Sequence, residues 1–298
     1  NSVTAWTANS FDSANAYPDM AVAAVRFKNF IMVLGTESLQ FFYNAGLTPF
    51  PFAKAVAMTQ KVGAVSADAI AVLSDNVFWA GSTPQGGLSI FQFTGTLNRV
   101  STPEVDAILI LAGAANISLT TIRFYGRSFV LVRAGPTTFV YCIEEKSWGE
   151  WNSTTPLWYK CAAISISGTM VNYTVSNVST SGKVYTMNHA SLVFTDDSVA
   201  YTARIQTPAD DMGTNALKTF SYVDVVGDIE VSTSPLTVSV SDDDFASYTV
   251  LGTVDLGTDN RRLPRCGRAR MRSWVLTHAA ATPMRLERLE GLMETMNG

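Results

Sequence analysis

Six of the chain's 21 basic residues fall within twelve positions: Arg261, Arg262, Arg265, Arg268, Arg270 and Arg272. Guanidinium groups at that density can contact phosphates. Arg268, Arg270 and Arg272 alternate, so a continuous strand would turn all three to one face, where they could line a channel without reading bases. The same groups could instead pair with carboxylates on neighbouring strands or subunits, and Asp242, Asp243, Asp244, Asp255 and Asp259 are at hand. Arg265, Arg268, Arg270 and Arg272 are therefore the candidate DNA-channel or inter-subunit contacts.

Other titratable residues point to little chemistry. Ser241-Asp242-Asp243-Asp244-Phe245 looks like a loose calcium loop, but adjacent aspartates cannot all turn inward onto a hard cation, and a polar hairpin turn is expected. Asp210-Asp211 and Glu144-Glu145 read as turns in the same way. The two histidines, His189 and His278, stand in no metal-ligand spacing and beside no nucleophile motif. Cys142, Cys161 and Cys266 are too few and too scattered for a disulfide framework or a zinc site and are expected as buried thiols. Gly63, Gly126 and Gly182 read as turn residues, with no phosphate-cradling glycine loop. No catalytic residue, metal site or cofactor is expected.

The elements that position these residues read as strands. Charged residues are 15% of the chain against about 25% in typical domains, while 47% are hydrophobic, a composition that suits half-buried sheets. The net charge of -4 disfavours condensation on a polyanion. The longest apolar runs, such as 108–115, fall short of the roughly 20 residues a membrane helix needs. No charged segment followed by an apolar one opens the chain, and Asn1 stands where a starting Met would be, which leaves room for an earlier portion.

Short apolar runs separated by turn residues return as four-strand groups, a propeller-like period. The first group is expected at 22–28, 30–35, 38–43 and 53–60; the second at 70–73, 77–80, 88–93 and 97–100. A helix over 103–115 starts behind Thr102-Pro103-Glu104. The third group covers 119–125, 129–133, 138–143 and 147–152, and the fourth 161–167, 170–175, 183–187 and 191–195. Beyond residue 212 longer strands follow, at 218–226, 229–233, 236–241, 247–254, 269–279 and 284–296. The expected fold class is all-β: β-propeller blades of four-stranded antiparallel repeats over 1–212, then a C-terminal antiparallel β-sheet domain over 213–298. Four blades form a small or incomplete ring, which 3–11 could help to close.

Landmarks in this order carry a resemblance. They are Tyr17-Pro18-Asp19, Gly35-Thr36-Glu37-Ser38 with Phe41-Phe42-Tyr43, Pro49-Phe50, Val77-Phe78-Trp79-Ala80-Gly81, Arg99-Val100-Ser101-Thr102 before the helix, Thr138-Phe139-Val140-Tyr141 with Trp148, and Arg262-Leu263-Pro264-Arg265-Cys266-Gly267-Arg268-Ala269-Arg270-Met271-Arg272-Ser273-Trp274. Together they resemble the packaged-DNA stabilisation, or tail nozzle (tail hub), family of short-tailed phages, over about residues 11–298. Arg127-Ser128, Cys142 and the Asp242-Asp243-Asp244 turn depart from its pattern.

The resemblance implies a non-enzymatic virion protein, made in the host cytoplasm. It would form a ring, most often a hexamer, below the portal and adaptor proteins and beside tail spike, fibre or needle proteins. Packaged double-stranded DNA would be retained and later ejected through it, by non-specific contact. A conduit must let DNA slide, so net acidity suits its bore. The alternative is a glycan-binding propeller of a phage tail, using Trp6, Trp151 or Trp158 on a loop rim; a glycosidase would need two converging carboxyls.

Overall fold

The computed structural model describes residues 14, 17–48, 50–82, 87–124, 126–151, 162–165, 171–175, 184–187, 194–196 and 199–295. Two compact units divide the chain, Asn1–Asn152 with Pro156–Asn188, and Ser153–Thr155 with His189–Gly298.

The first unit is a run of antiparallel sheets in sequence order. The first blade joins β1 (Ala21–Phe27), β2 (Phe30–Gly35), β3 (Leu39–Asn44) and β4 (Phe52–Lys54), and the second joins β5 (Ile70–Leu73), β6 (Asn76–Ser82), β7 (Leu88–Phe93) and β8 (Leu97–Arg99). Helix α1 (Pro103–Ala112) precedes the third, β9 (Ile117–Phe124), β10 (Arg127–Ala134), β11 (Thr137–Cys142) and β12 (Ser147–Trp151). In the fourth, β13 (Ala162–Ser165), β14 (Val171–Val175) and β15 (Val184–Met187) form a three-stranded sheet. The strand expected at 191–195, like the 3–11 stretch, falls largely or wholly outside the described residues.

Side chains alternate across a strand, so a strand buried on both faces must serve two cores. β6 does this: Val77 and Trp79 join Phe27, Leu34, Phe41 and Phe93 in the core of blades one and two, while Phe78 and Ala80 join Val130, Val132, Phe139 and Tyr141 towards blade three. Leu109 and Val105 of α1 enter the second core. The helix starts as expected, with Thr102 Oγ1 accepting from the Val105 N–H and Pro103 in the first turn, and it ends at Gly113, whose φ is +76°. A 3₁₀ turn, Ala114–Asn116, replaces the last residues of the expected helix.

Polar locks fix the blades. The Asp19 carboxylate accepts from the Glu37 and Ser38 N–H groups at 3.0 and 2.9 Å and closes the turn between β2 and β3. The indole of Trp79 donates to the Gly63 carbonyl at 3.1 Å, Ala64 N–H to Gly35 and Val65 N–H to Ala80, stitching blade one to blade two. Gly63 is no turn glycine: a Cβ there would lie 2.0 Å from the Thr36 carbonyl oxygen. Asp106 of α1 accepts from Ser89 and pairs with Arg99, and the Trp148 indole donates to the Val100 carbonyl at 2.8 Å.

In the second unit, β16 (Thr195–Asp196) pairs β17 (Val199–Ala200). One sheet has the order β18 (Ala203–Gln206), β24 (Ser273–His278), β20 (Pro235–Ser241), β21 (Thr249–Asp255); the other sets β19 (Lys218–Gly227) between β25 (Leu286–Thr295) on one edge and β22 (Arg262–Pro264) with β23 (Arg268–Ala269) on the other. Val225 and Leu289 of the latter meet Leu236, Val238 and Leu276 of the former. The expected boundary at 212 moves upstream, because β18 pairs β24 from Ala203↔His278 to Gln206↔Val275. Two expected strands also change. The 229–233 stretch is a loop whose Ile229 and Val231 are exposed and whose Glu230 N–H bonds the Leu256 carbonyl, and 269–279 breaks at 270–271.

Gly63→Ala is expected to destabilise the chain by about 1–3 kcal/mol in urea unfolding, since its Cβ meets backbone. Gly149→Ala, whose Cβ would meet nothing within 4 Å, should change stability by less than about 0.5 kcal/mol.

Candidate functional site

The arginine run lies along one edge of β19 and is shaped by a lysine. Lys218 is fully buried, and its ammonium donates to three backbone carbonyls, of Thr214, Ala216 and Arg270, at 2.6, 3.0 and 2.5 Å. Capture of the Arg270 carbonyl sits at the corner where β23 stops, so the strand cannot run on to residue 272. The expectation that Arg268, Arg270 and Arg272 share one face is therefore corrected. Arg268 and Arg270 point to solvent, whereas Arg272 turns inward and is 2% exposed.

Arg272 is a packed tie. Its Nε and Nη2 donate to the two Asp242 oxygens at 2.7 Å each, Nη1 donates to the Cys266 carbonyl at 2.5 Å, and its Cζ lies 4.3 Å from the centroid of the Phe220 ring. A two-pronged guanidinium–carboxylate bond with the cation held over an aromatic ring is the strong form of this interaction. Arg262 repeats it at the surface, forking onto Asp224 at 2.8 and 2.7 Å and lying 3.8 Å over Tyr222. The Arg262 hydrogen bonds hold the Asp224 carboxyl below its ordinary value. Arg261 donates to the Asp228 carbonyl and Arg270 to the Asn215 carbonyl. Arg265, held at φ +60°, and Arg268 are exposed, and neither side chain has a partner among the described residues.

The acidic turn divides its three carboxylates. Asp242 takes Arg272; Asp243 accepts from Ser247 and Ser241, which lowers its pKa; Asp244 sits at φ +55°. No group of three metal-ligating side chains converges among the described residues. Asp210 and Asp211 accept from the Met212 and Gly213 N–H groups, as turn residues do. Glu144 accepts from Ser128 N–H, and Glu145 pairs with Arg127 in the open. Asp224, Asp259, Arg261, Arg262 and Glu290 line a shallow cleft of about 650 Å³, with its cations already engaged.

His278 is a partner that sequence spacing did not disclose. Its Nε2 lies 2.9 Å from Ser234 Oγ and 3.2 Å from Thr282 Oγ1; Ser234 is fully buried, 44 positions away in sequence, so no local pattern announces the cluster. Burial pushes the His278 pKa down. Without solvent access the Ser234 hydroxyl cannot meet a substrate, and the cluster ties β24 to the loop ahead of β20. Cys142 and Cys266 are buried, as expected, and burial pushes the Cys266 thiol up. Trp151 is half-buried beside Phe129 and Val140; Trp6, Trp158, Cys161 and His189 lie outside the described residues.

A phage-stabilisation family model described as "Bacteriophage P22 Gp10, beta-propeller" matches residues 3–192. The chain belongs to this family. It is thus a member of a phage tail nozzle and stabilisation family with a β-propeller fold, a component of the virion's tail. The match ends close to the division after Asn188, and the arginine run lies beyond it. No curated protein matches the chain. Among solved structures it is similar to an exo-β-1,3-galactanase of Phanerochaete chrysosporium with galactose, at 7% identity and a TM-score of 0.24, covering 91% of this chain and 68% of that one. A glycoside hydrolase aligns at 9% identity and a TM-score of 0.27, covering 91% and 83%. Likenesses of that size carry no argument about chemistry.

Arg272→Met should cost about 3 kcal/mol in chemical unfolding, because a buried tie is cut, whereas exposed Arg268→Gln should shift stability by less than about 0.5 kcal/mol. Because the folded-state pKa of His278 is depressed, the unfolded state takes the proton first, and stability falls as pH drops below the ordinary value of 6.5. That slope, at most about 1.4 kcal/mol per pH unit, should vanish between pH 6.5 and 5 in His278→Gln. Asp224 and Asp243 have lowered pKa values and act only at more acidic pH.

Proposed function

We propose that the chain is a non-enzymatic subunit of the phage tail that assembles as a ring, most often a hexamer, below the portal and adaptor proteins. There it retains packaged DNA and provides the conduit for its ejection. Family membership over residues 3–192 is the observation that carries this reading. Tail spike, fibre or needle proteins are its other partners. The arginines support a division of labour: Arg262 and Arg272 are consumed by Asp224 and Asp242, which leaves Arg265, Arg268 and Arg270 at the surface for neighbouring subunits or for non-specific phosphate contact.

Mass measurement of the purified chain mixed with portal-complex and tail proteins tests the assembly. Particles several times the mass of one chain are expected, and monomers alone would contradict the reading. If the surface arginines touch DNA, replacing Arg265, Arg268 and Arg270 by Gln lowers the slope of log affinity against log salt by about 0.9 per lost contact. An unchanged slope assigns them to subunit interfaces.

A further inference from the structure

The sheet built on β19 has one basic edge and one acidic edge. On the β22–β23 side, residues 262–270 hold four arginines and no carboxylate, whereas β25 on the other side holds three glutamates and one arginine. Residues directly opposite one another in an antiparallel sheet share a face. Glu294 of β25 and Arg268 of β23 both stand opposite Thr219, and Glu290 and Arg262 both stand opposite Asp224. Acid and base therefore end the same rows on the same face, two strand spacings of about 4.8 Å apart. Between these rows Leu292 and Pro264 both stand opposite Tyr222, so each edge sets an apolar residue among its charges.

Both edges are open to solvent. Arg265, Arg268, Glu290 and Glu294 are exposed, and so are Pro264 and Leu292. Within the chain Arg288 serves Glu290 and Glu287, at 2.5 and 3.6 Å, and Arg262 serves Asp224. Charged side chains commonly guard an open sheet edge against pairing. A guard has no need to sort the signs. Sorted signs act more specifically: two copies that meet by the same edge bring like charges together, which opposes association, and two that meet by opposite edges bring unlike charges together. Same-edge contact makes closed two-fold pairs, whereas opposite-edge contact is head-to-tail and makes rings.

We infer that the basic β22–β23 edge of one copy docks on the acidic β25 edge of the next copy. Arg265 and Arg268 face the neighbour's Glu290 and Glu294, with Pro264 and Leu292 as the apolar centre between the charges. The inference rests on the ring assembly proposed above and supplies its contact, giving these arginines to the neighbouring subunit and not to DNA.

Charge reversal tests it in the full chain mixed with portal-complex and tail proteins, read as particle mass against concentration. Arg265→Glu with Arg268→Glu puts acids on both edges, and Glu290→Arg with Glu294→Arg puts cations on both. Each variant alone should raise the concentration for half-assembly at least about tenfold. An equimolar mixture of the two should assemble again, because the acidic edges of one variant then meet the basic edges of the other, and its particles should contain both. Arg268→Glu and Glu294→Arg, one substitution in each chain, carry the same test should a double variant not fold. Particles that persist unchanged in either variant overturn the contact while leaving the ring reading in place, and so does a mixture that fails to assemble. Monomers in the wild type overturn the ring reading itself, and this inference with it.

Discussion

Burial of middle strands on both faces is the constraint on which the first unit depends. No blade can stand alone when Phe78 and Trp79, adjacent in one strand, belong to cores on opposite sides of it. The hydrophobic driving force therefore acts between blades as much as within them, and a blade without its neighbour would expose two aromatic faces. Helix α1 adds Val105 and Leu109 to the same interface and anchors itself through Asp106 to the blade before it.

Packing of that kind fixes distance but not register, and the polar locks supply the register. Asp19 closes a turn 18 residues away, Trp79 reaches the Gly63 carbonyl, and Trp148 reaches back to Val100. Asp19, Trp79, Val100 and Trp148 are among the landmarks that carry the family likeness, whereas Gly63 is not. Their types follow from geometry: a carboxylate with two N–H groups to cap, an indole with one buried N–H to place, a glycine where backbones touch.

The blades were legible because their strands are short, alternating and bounded by turn residues, so that 30–35, 70–73 and 88–93 fall where the pattern sets them. The C-terminal unit was less so. Ile229 and Val231 alternate like a strand yet remain exposed, since the neighbouring backbone groups bond across loops. The arginine run looked like one strand because a period of two was its only local signal; the break comes from Lys218, some 52 positions away, holding the Arg270 carbonyl. Ser234 and His278, like Arg262 and Asp224, are joined by the fold alone. In this chain most of the charged residues of the arginine run and the acidic turn are spent on holding loops and corners.

The shared core between blades is tested most directly by a double-mutant cycle on Phe78 and Tyr141, whose rings meet edge to face at 6.3 Å between blades two and three. Phe78→Leu and Tyr141→Leu should couple by about 0.5–1.5 kcal/mol in unfolding free energy. Strictly additive losses would mean that the two blades do not share a core.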